Sequence, residues 1–185
     1  MAIYIWVIIV ILALFAIWAI FTYNAFIRLR NNVENSWAQI DVQLKRRTDL
    51  IPNLINTVKG YVKHERETLE AVTNARSELM KAEGDTKETA RADNMLSDAL
   101  KSLFAVAEAY PDLKANQNFM QLQEELSGTE NKIAAARQYY NDIVMQYNTK
   151  RESFPDNLLS GLFKFTEKDL FEIDETEREV PDVKF

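Results

Sequence analysis

Residues 1–23 read MAIYIWVIIVILALFAIWAIFTY, and this stretch decides the architecture. Every residue from Ala2 to Phe21 is apolar, and the first charged residue is Arg28. A helix of about 20 residues rises about 30 Å, which is the thickness of the hydrocarbon layer of a bilayer. Its Ile, Val, Leu and Phe side chains together favour insertion by about 4–8 kcal/mol. The stretch therefore predicts a transmembrane anchor, which we assign to residues 1–27.

Two other interpretations of this stretch fit less well. A cleaved signal peptide carries basic residues before a short apolar run and small residues at its cleavage site. Here no Lys or Arg precedes the run, and Thr22–Ile27 offers no such site. A buried core helix is rarely apolar on every face over this length. We therefore expect a single permanent anchor.

The basic residues near the anchor all follow it in the sequence. They are Arg28, Arg30, Lys45, Arg46 and Arg47. Lys and Arg residues that flank a membrane span are preferentially retained on the cytoplasmic side. The pattern predicts an external N-terminus, a single pass through the inner (cytoplasmic) membrane, and a cytoplasmic location for residues 28–185.

The composition argues against several classes of protein. The chain has no cysteine, which fits a reducing compartment. It has only 4 Gly and 4 Pro in 185 residues, whereas folds rich in strands and turns need more of both. The net charge of −6 argues against general binding of nucleic acids, which favours a basic surface. An all-α fold with long helices is therefore expected after the anchor.

Apolar residues recur at helical spacing through residues 28–153, which we assign to a cytoplasmic helical bundle. The anchor helix is expected to continue without a hinge to Leu50. Pro52 then either kinks this helix or marks a restart near Asp49, and the sequence leaves both open. The apolar stripe continues to about Ala82.

Turn signals divide the rest of the bundle. Gly84 marks a turn, Asp85 or Thr86 can cap a third helix, and Tyr-Pro-Asp at 110–112 ends that helix. The last long helix is expected at about 112–150, with apolar residues at alternating intervals of three and four: Phe119, Leu122, Leu126, Thr129, Ile133, Ala136, Tyr140, Ile143 and Tyr147. This coiled-coil spacing predicts an elongated antiparallel bundle.

The C-terminal segment, residues 154–185, departs from this pattern at Pro155. A short amphipathic helix is expected around Leu158–Phe165, followed by an acidic tail. We predict that the tail packs on its own domain, with docking on a neighbouring subunit or on lipid as the alternatives. The prediction depends on the apolar residues of the tail, which are Phe171, Ile173, Val180, Val183 and Phe185.

No arrangement of residues predicts catalysis, a cofactor or a bound metal. His64 is the only histidine, so a ferritin-like di-metal site, which needs two Glu-x-x-His pairs, is excluded in its usual form. The sequence around His64 lacks the second histidine of a zinc-hydrolase helix, and the chain has no Gly-rich phosphate loop and no nucleophile elbow. We predict that the protein is not an enzyme and that His64 is an ordinary residue on a helix surface.

Some charged residues lie close to the apolar stripes. Arg76, Glu130 and Arg137 are predicted to lie on a solvated helix face or in a buried ion pair between helices, with a binding role as the other possibility. A buried pair would fix the register of the helices more than it would stabilise them. The cluster Lys45-Arg46-Arg47 is predicted to be solvated or to face another subunit rather than to contact lipid headgroups.

Several motifs resemble those of the LemA family of bacterial membrane proteins. They include NSW at 35–37, QIDVQLKRR at 39–47, DLIPNL at 49–54, VKGY at 58–61 and YPDLKA at 110–115. The resemblance implies a cytoplasmic helical bundle with an external N-terminus and no established catalytic activity. It also implies a connection with membrane shaping, because a relative in magnetosome-forming bacteria is associated with building membrane invaginations.

Two functional hypotheses follow from the residues and the resemblance. The first is a non-enzymatic scaffold that forms homo-oligomers and uses a hinge-free stalk to bend or confine the lipid bilayer. Ala13, Ala16 and Ala19 provide a slim helix face for close contact in the membrane, although there is no GxxxG motif. The second is a membrane-tethered adaptor whose bundle binds a peptide or helix of an unknown protein partner. Neither hypothesis involves nucleic acid.

Overall fold

The computed structural model describes residues 2–62, 64–82 and 84–171, and the described chain contains helices and no strand. Six helices follow one another: α1 (Ala2–Lys59), α2 (Arg66–Lys81), α3 (Thr86–Ala107), α4 (Pro111–Lys114), α5 (Gln117–Glu152) and α6 (Asp156–Leu162). The predicted all-α class is therefore confirmed.

Helix α1 passes through Pro52 without interruption, so the helix does not restart at this residue. Pro52 is exposed, while Ile51 and Leu54 beside it are buried. A proline inside a helix removes one backbone hydrogen bond, and the carbonyl that it frees can be hydrated when it faces solvent. The helix therefore continues to Lys59 with its apolar residues still directed toward the core.

The apolar stripe that extends to about Ala82 belongs to two helices rather than to one. Helix α1 ends at Lys59, and α2 begins at Arg66. The backbone amides of Tyr61 and Val62 donate hydrogen bonds to the carbonyl oxygen of Val58, at 2.9 and 3.1 Å. Val62 is buried although it lies between the helices. Hydrophobic spacing therefore does not reveal this break.

The start of α3 agrees with its predicted cap, but the start of the last long helix does not. The Asp85 carboxylate accepts hydrogen bonds from the backbone amides of Lys87 and Glu88, at 2.9 and 3.0 Å. Pro111 begins the short helix α4, and α5 begins only at Gln117 rather than near residue 112. A proline at the first position of a helix loses no hydrogen bond, which is why the Tyr-Pro-Asp motif starts a helix here.

Contacts between residues divide the chain into two compact units. The first unit consists of Met1–Ala38 and Tyr139–Asp169, and the second consists of Gln39–Gln138 and Leu170–Phe185. Helices α1 and α5 are long enough to supply residues to both units. The domain boundaries predicted after residues 27 and 153 stay predictions.

The second unit has a core of aliphatic side chains from α1, α2, α3 and α5. Helices α2 and α3 form a hairpin, and the Thr89 hydroxyl donates to the carbonyl oxygen of Ala82 across its turn at 2.8 Å. The buried aliphatic residues include Ile40, Leu44, Ile51, Leu54, Val58, Leu69, Val72, Leu79, Leu96, Leu100, Leu103, Leu126 and Ile133.

The first unit is centred on aromatic residues of α1 and α5. Phe26 contacts Tyr147 with ring centroids 6.2 Å apart, and Trp37 contacts Tyr140 at 5.4 Å. Phe26 precedes Trp37 on α1, whereas the partner of Phe26 on α5 follows the partner of Trp37. The two helices are therefore antiparallel in this unit. Phe165, which follows α6, stacks on Phe26 with centroids 4.7 Å apart.

The chain reverses direction after α6 and returns to the aromatic core. The short helix predicted around Leu158–Phe165 is present but lies earlier, at Asp156–Leu162. The amide of Phe165 donates to the carbonyl oxygen of Ser160 at 2.9 Å, and Lys164 adopts a left-handed conformation with φ 55°. This is the usual way to end a helix with a sharp turn, although glycine is the common residue at that position.

The segment after this reversal reaches the core of the second unit at Phe171, which is fully buried. The prediction that the tail packs on its own domain therefore agrees with Phe171. The other residues of that prediction, Ile173, Val180, Val183 and Phe185, lie outside the described residues.

The apolar segment of α1 remains exposed. Ile3 is 77% exposed, Leu12 is 60% exposed and Phe21 is 69% exposed, and the segment is long and apolar enough to cross a membrane. The backbone of such a segment is satisfied by its own helical hydrogen bonds, as insertion into hydrocarbon requires.

We expect the double substitution Ile11→Arg/Leu14→Arg to release the full-length protein from membranes. Each arginine near the centre of a span costs about 2.5–3.5 kcal/mol, so the pair offsets most of the insertion free energy of the segment. The measurement is the fraction of protein that stays in the membrane pellet after alkaline carbonate extraction. The matched control is Val42→Arg/Met145→Arg, which adds the same charge at positions that are 62% and 57% exposed. Full retention of both variants would contradict the assignment of this span.

Candidate functional site: a buried charge cluster

Five side chains from three helices form a polar cluster inside the second unit. Arg47 lies on α1, Asp93 and Ser97 lie one turn apart on α3, and Glu130 and Arg137 lie two turns apart on α5. Positions separated by four or seven residues share one face of a helix, so α3 and α5 each direct two polar groups toward the same place. We call these five residues the buried charge cluster.

Arg47 is the centre of the cluster. Its guanidinium Nη1 lies 2.7 Å from Oδ1 of Asp93 and 2.8 Å from Oε2 of Glu130. Its Nη2 donates a hydrogen bond to the Ser97 hydroxyl at 3.0 Å. The Ser97 hydroxyl donates in turn to Oε1 of Glu130 at 3.3 Å. One guanidinium therefore connects α1, α3 and α5.

Arg137 contacts the opposite side of the same carboxylate. Its Nη1 lies 3.7 Å from Oδ2 of Asp93, and its Nη2 donates to the side-chain oxygen of Asn94 at 3.2 Å. The guanidinium also lies over the ring of Phe171, 4.6 Å from the ring centroid. A cation over an aromatic face is attracted by the ring quadrupole, so Phe171 supports this arginine.

The cluster balances its own charge. The side chain of Asp93 is fully buried, that of Arg47 is 3% exposed and that of Arg137 is 7% exposed, whereas that of Glu130 is 41% exposed. Burial raises the pKa of the Asp93 carboxyl above its ordinary value of 3.8, and the two arginines oppose this rise. Two guanidiniums and two carboxylates leave no net charge in the core.

A cluster of this kind determines the packing of helices more readily than it performs chemistry. Its central carboxylate is not accessible to a substrate, and its charged groups are paired with one another, although Nε of Arg47 has no hydrogen-bond partner among the described residues. Buried ion pairs contribute little net stability because desolvation offsets their attraction, but removal of one partner is strongly unfavourable. In the described ranges, no group of three or more His, Cys, Asp or Glu side chains is placed to hold a metal.

The structure separates the charged residues that the sequence singled out. Glu130 and Arg137 belong to the buried cluster, in agreement with the predicted ion pair between helices. Arg76 is half-buried, and its Nε donates to the carbonyl oxygen of Thr48 at 2.8 Å. His64 is exposed, as predicted, but it lies in the connection between α1 and α2 rather than on a helix.

The prediction for the basic cluster is wrong at one of its three residues. Lys45 and Arg46 are exposed, but Arg47 is 2% exposed and belongs to the core. The reason is helical geometry, because adjacent residues point about 100° apart and only Arg47 lies on the inward face. Asp93 and Ser97 were not predicted to be functional residues, although both are spaced with Leu96 and Leu100 on the apolar face of α3.

The sequence pattern that defines the LemA family matches residues 36–185, well over half of the chain. The chain belongs to the LemA family. The match confirms the resemblance seen in the motifs, and it begins after the apolar segment of α1.

Known relatives of this LemA-family chain include three bacterial proteins. It is 28% identical to Protein LemA of Metamycoplasma hominis over 155 residues, which cover 84% of this chain and 71% of that protein. It is 23% identical to Magnetosome protein MamQ 2 of Paramagnetospirillum magneticum over 175 residues and 24% identical to Magnetosome protein MamQ of Magnetospirillum gryphiswaldense over 174 residues. The match spans 64% of the length of each magnetosome protein. These relatives and the exposed apolar helix fit a membrane-associated protein.

We expect Arg47→Met to destabilise this LemA-family protein by about 3–5 kcal/mol, because it leaves the buried Asp93 carboxylate without its closest counter-charge. The matched control is Arg46→Met, which removes the adjacent arginine. Its guanidinium is exposed and lies 3.8 Å from Glu125, so its loss is expected to change stability by less than about 1 kcal/mol. Both values come from denaturant unfolding of the full chain in detergent, followed by circular dichroism. Equal losses of unfolding free energy in the two variants would contradict a larger contribution from the buried Arg47 than from the exposed Arg46.

We expect the loss of unfolding free energy caused by Arg47→Met to become smaller as the pH falls. Without Arg47, the pKa of Asp93 rises further above its unfolded value, and a carboxyl with a raised folded pKa gains stability as the pH drops through that pKa. The measurement is the unfolding free energy at several pH values between about 8 and 5. The double variant Arg47→Met/Asp93→Asn has no carboxyl at position 93 to titrate, so it should be more stable than Arg47→Met at high pH and lack the recovery that Asp93 causes. A loss of unfolding free energy that becomes larger toward low pH would contradict the raised pKa of Asp93.

Proposed function

We propose that this LemA-family protein is a non-enzymatic scaffold that crosses the inner membrane once, associates with copies of itself and organises or shapes the bilayer. The observation that carries the proposal is the continuity of α1, which contains the apolar segment and also residues such as Ile40, Arg47 and Leu54 of the helical core. No loop interrupts α1 between the apolar segment and these core residues.

The continuity of α1 constrains the orientation of its apolar segment relative to the rest of the helix. A transmembrane helix joined to its soluble part by a flexible loop can tilt independently of that part. A helix without a loop transmits an orientation, so copies that pack laterally would hold their membrane spans at a defined angle. Repeated through a closed ring or an extended array, such an angle would bend or confine the lipid. The N-terminus would lie outside and the helical core on the cytoplasmic side, because Arg28 and Arg30 follow the span.

Two further points support a role without catalysis. The buried charges of the core are paired with one another, which suits the positioning of helices rather than the binding of a substrate. The relatives named as magnetosome proteins add weight to a role at membranes.

An adaptor that binds a partner protein is the second candidate. A surface groove between α2 and α3 favours it, since charged residues of both signs and the exposed Met95 line this groove: Glu78, Lys81, Glu88 and Arg91. A groove of this kind is able to hold a segment of another chain. An adaptor would be a monomer that captures one partner in fixed stoichiometry, whereas a scaffold associates with itself.

The proposal is tested by uncoupling the span from the rest of the protein. A flexible insert of about seven Gly and Ser residues between Phe21 and Thr22 should leave insertion and self-association intact and abolish membrane deformation. The matched control is a helix-forming insert of about seven Ala, Glu and Lys residues, which adds close to two turns and nearly preserves the facing of the helix.

Two measurements are made on each full-length variant. Mass photometry in detergent gives the size of the assembly, and electron cryo-microscopy of reconstituted vesicles gives the curvature of the membrane. Wild-type protein and the helical insert should form assemblies and deform vesicles. A monodisperse monomer at every concentration, or equal deformation with the flexible insert, would refute the proposal.

A further inference from the structure

The short helix α6 and the residues beside it expose four large apolar side chains, of which Phe163 also makes a ring contact with Tyr23. Phe154 is 80% exposed, Leu158 is 60% exposed, Leu162 is 71% exposed and Phe163 is 48% exposed. We call these four residues the α6 apolar face. Soluble domains rarely leave several neighbouring residues of this size in water without a purpose.

The other side of α6 is held in place. Leu159 and Ser160 are buried, and the Ser160 hydroxyl donates to the carbonyl oxygen of Arg151 at 2.9 Å. The Asp156 carboxylate accepts a hydrogen bond from the Thr22 hydroxyl at 3.2 Å and is also paired with Lys150. The helix cannot rotate to bury its apolar face without breaking these contacts.

The contacts of Asp156 and Phe163 also set the level of α6 along α1. Thr22 is the first hydroxyl-bearing residue after the apolar run that ends at Phe21. The next residue, Tyr23, contacts the ring of Phe163 with centroids 4.9 Å apart. Within the first unit, the two ends of α6 therefore contact the residues that directly follow the apolar segment, which lie at the boundary between hydrocarbon and headgroups when the segment crosses a bilayer.

The charges beside the α6 apolar face also suit a membrane surface. Lys164 follows α6 and Arg28 lies on α1 just past the span, and both are exposed. The acidic Asp156 is paired, so it adds little repulsion toward anionic headgroups. Basic residues that flank an apolar face strengthen binding to anionic lipid surfaces.

We propose that α6 is an interfacial membrane element. Its apolar face enters the boundary between headgroups and acyl chains of the leaflet from which α1 emerges, and its occupant is the lipid of that leaflet. The first unit then contacts the bilayer in two ways, through the transmembrane segment and through α6. This inference rests on the insertion of α1 that the proposed function requires, and it assigns a lipid contact to residues outside the span.

The absence of cysteine allows a direct measurement of depth. Single-cysteine variants of the full-length protein, each carrying a nitroxide label, are reconstituted at low protein-to-lipid ratio into vesicles of phosphatidylethanolamine and phosphatidylglycerol. Leu162→Cys reports on the α6 apolar face and Leu158→Cys repeats the test one turn away. Leu12→Cys marks the hydrocarbon centre, and Met80→Cys, at a position 53% exposed on α2, marks water. Collisions with oxygen and with a polar nickel complex are compared by electron paramagnetic resonance.

Labels at Leu158 and Leu162 should show a ratio of oxygen to nickel accessibility at least about three times that at Met80 and below that at Leu12, as expected for burial about 5–10 Å into the interface. A ratio at both positions equal to that at Met80, with Leu12 in lipid, would overturn the role of α6 and leave the span intact. Protection from both reagents that disappears on dilution in lipid would assign the face to a second copy and also overturn the proposal. A water-exposed label at Leu12 would overturn the span and this inference together.

Discussion

A run of 20 apolar residues in one helix, largely exposed from Ile3 to Phe21, is the constraint on which the rest of this structure depends. Water disfavours such a surface, and no described helix covers it, whereas a bilayer solvates it and leaves the backbone satisfied by helical hydrogen bonds. The same helix does not end where the apolar run ends. It continues for several turns past Thr22 and supplies core residues up to Val58. One continuous helix therefore contains both the apolar run and residues of the helical core.

The arrangement of helices in the core depends on the buried charge cluster as well as on apolar packing. A core of Leu, Ile and Val packs in many similar ways, because the hydrophobic effect has no direction. The buried charge cluster has a direction, since Arg47 reaches two carboxylates and a hydroxyl from two other helices at hydrogen-bond distance. A shift of one helix by one turn would separate these charges in a medium of low polarity. The cluster therefore favours one arrangement of α1, α3 and α5 at little gain in stability.

The core of the first unit consists of aromatic residues, whereas that of the second unit consists of aliphatic residues and the buried charge cluster. Phe26 lies between Tyr147 and Phe165, and Tyr23 lies against Phe163 and Phe165. Aromatic side chains suit the level of a membrane boundary because their rings tolerate both an apolar and a hydrated environment. Membership of the LemA family and the similarity to magnetosome proteins are consistent with an architecture that places such a unit at the end of a span.

The sequence by itself determined the apolar segment, the all-α class, the start of α3 at Asp85 or Thr86 and the family, because each is encoded in neighbouring residues or in local spacing. Only the tertiary structure decided that Pro52 is accommodated within α1, that α1 ends at Lys59, and that Arg47 is buried while Arg46 is not. Hydrophobic spacing shows which residues share a face, but it does not show which helix covers that face. The partners of Arg47 lie more than forty residues away in the chain, and only the folded arrangement brings a guanidinium and a carboxylate close enough to compensate for the loss of water around both.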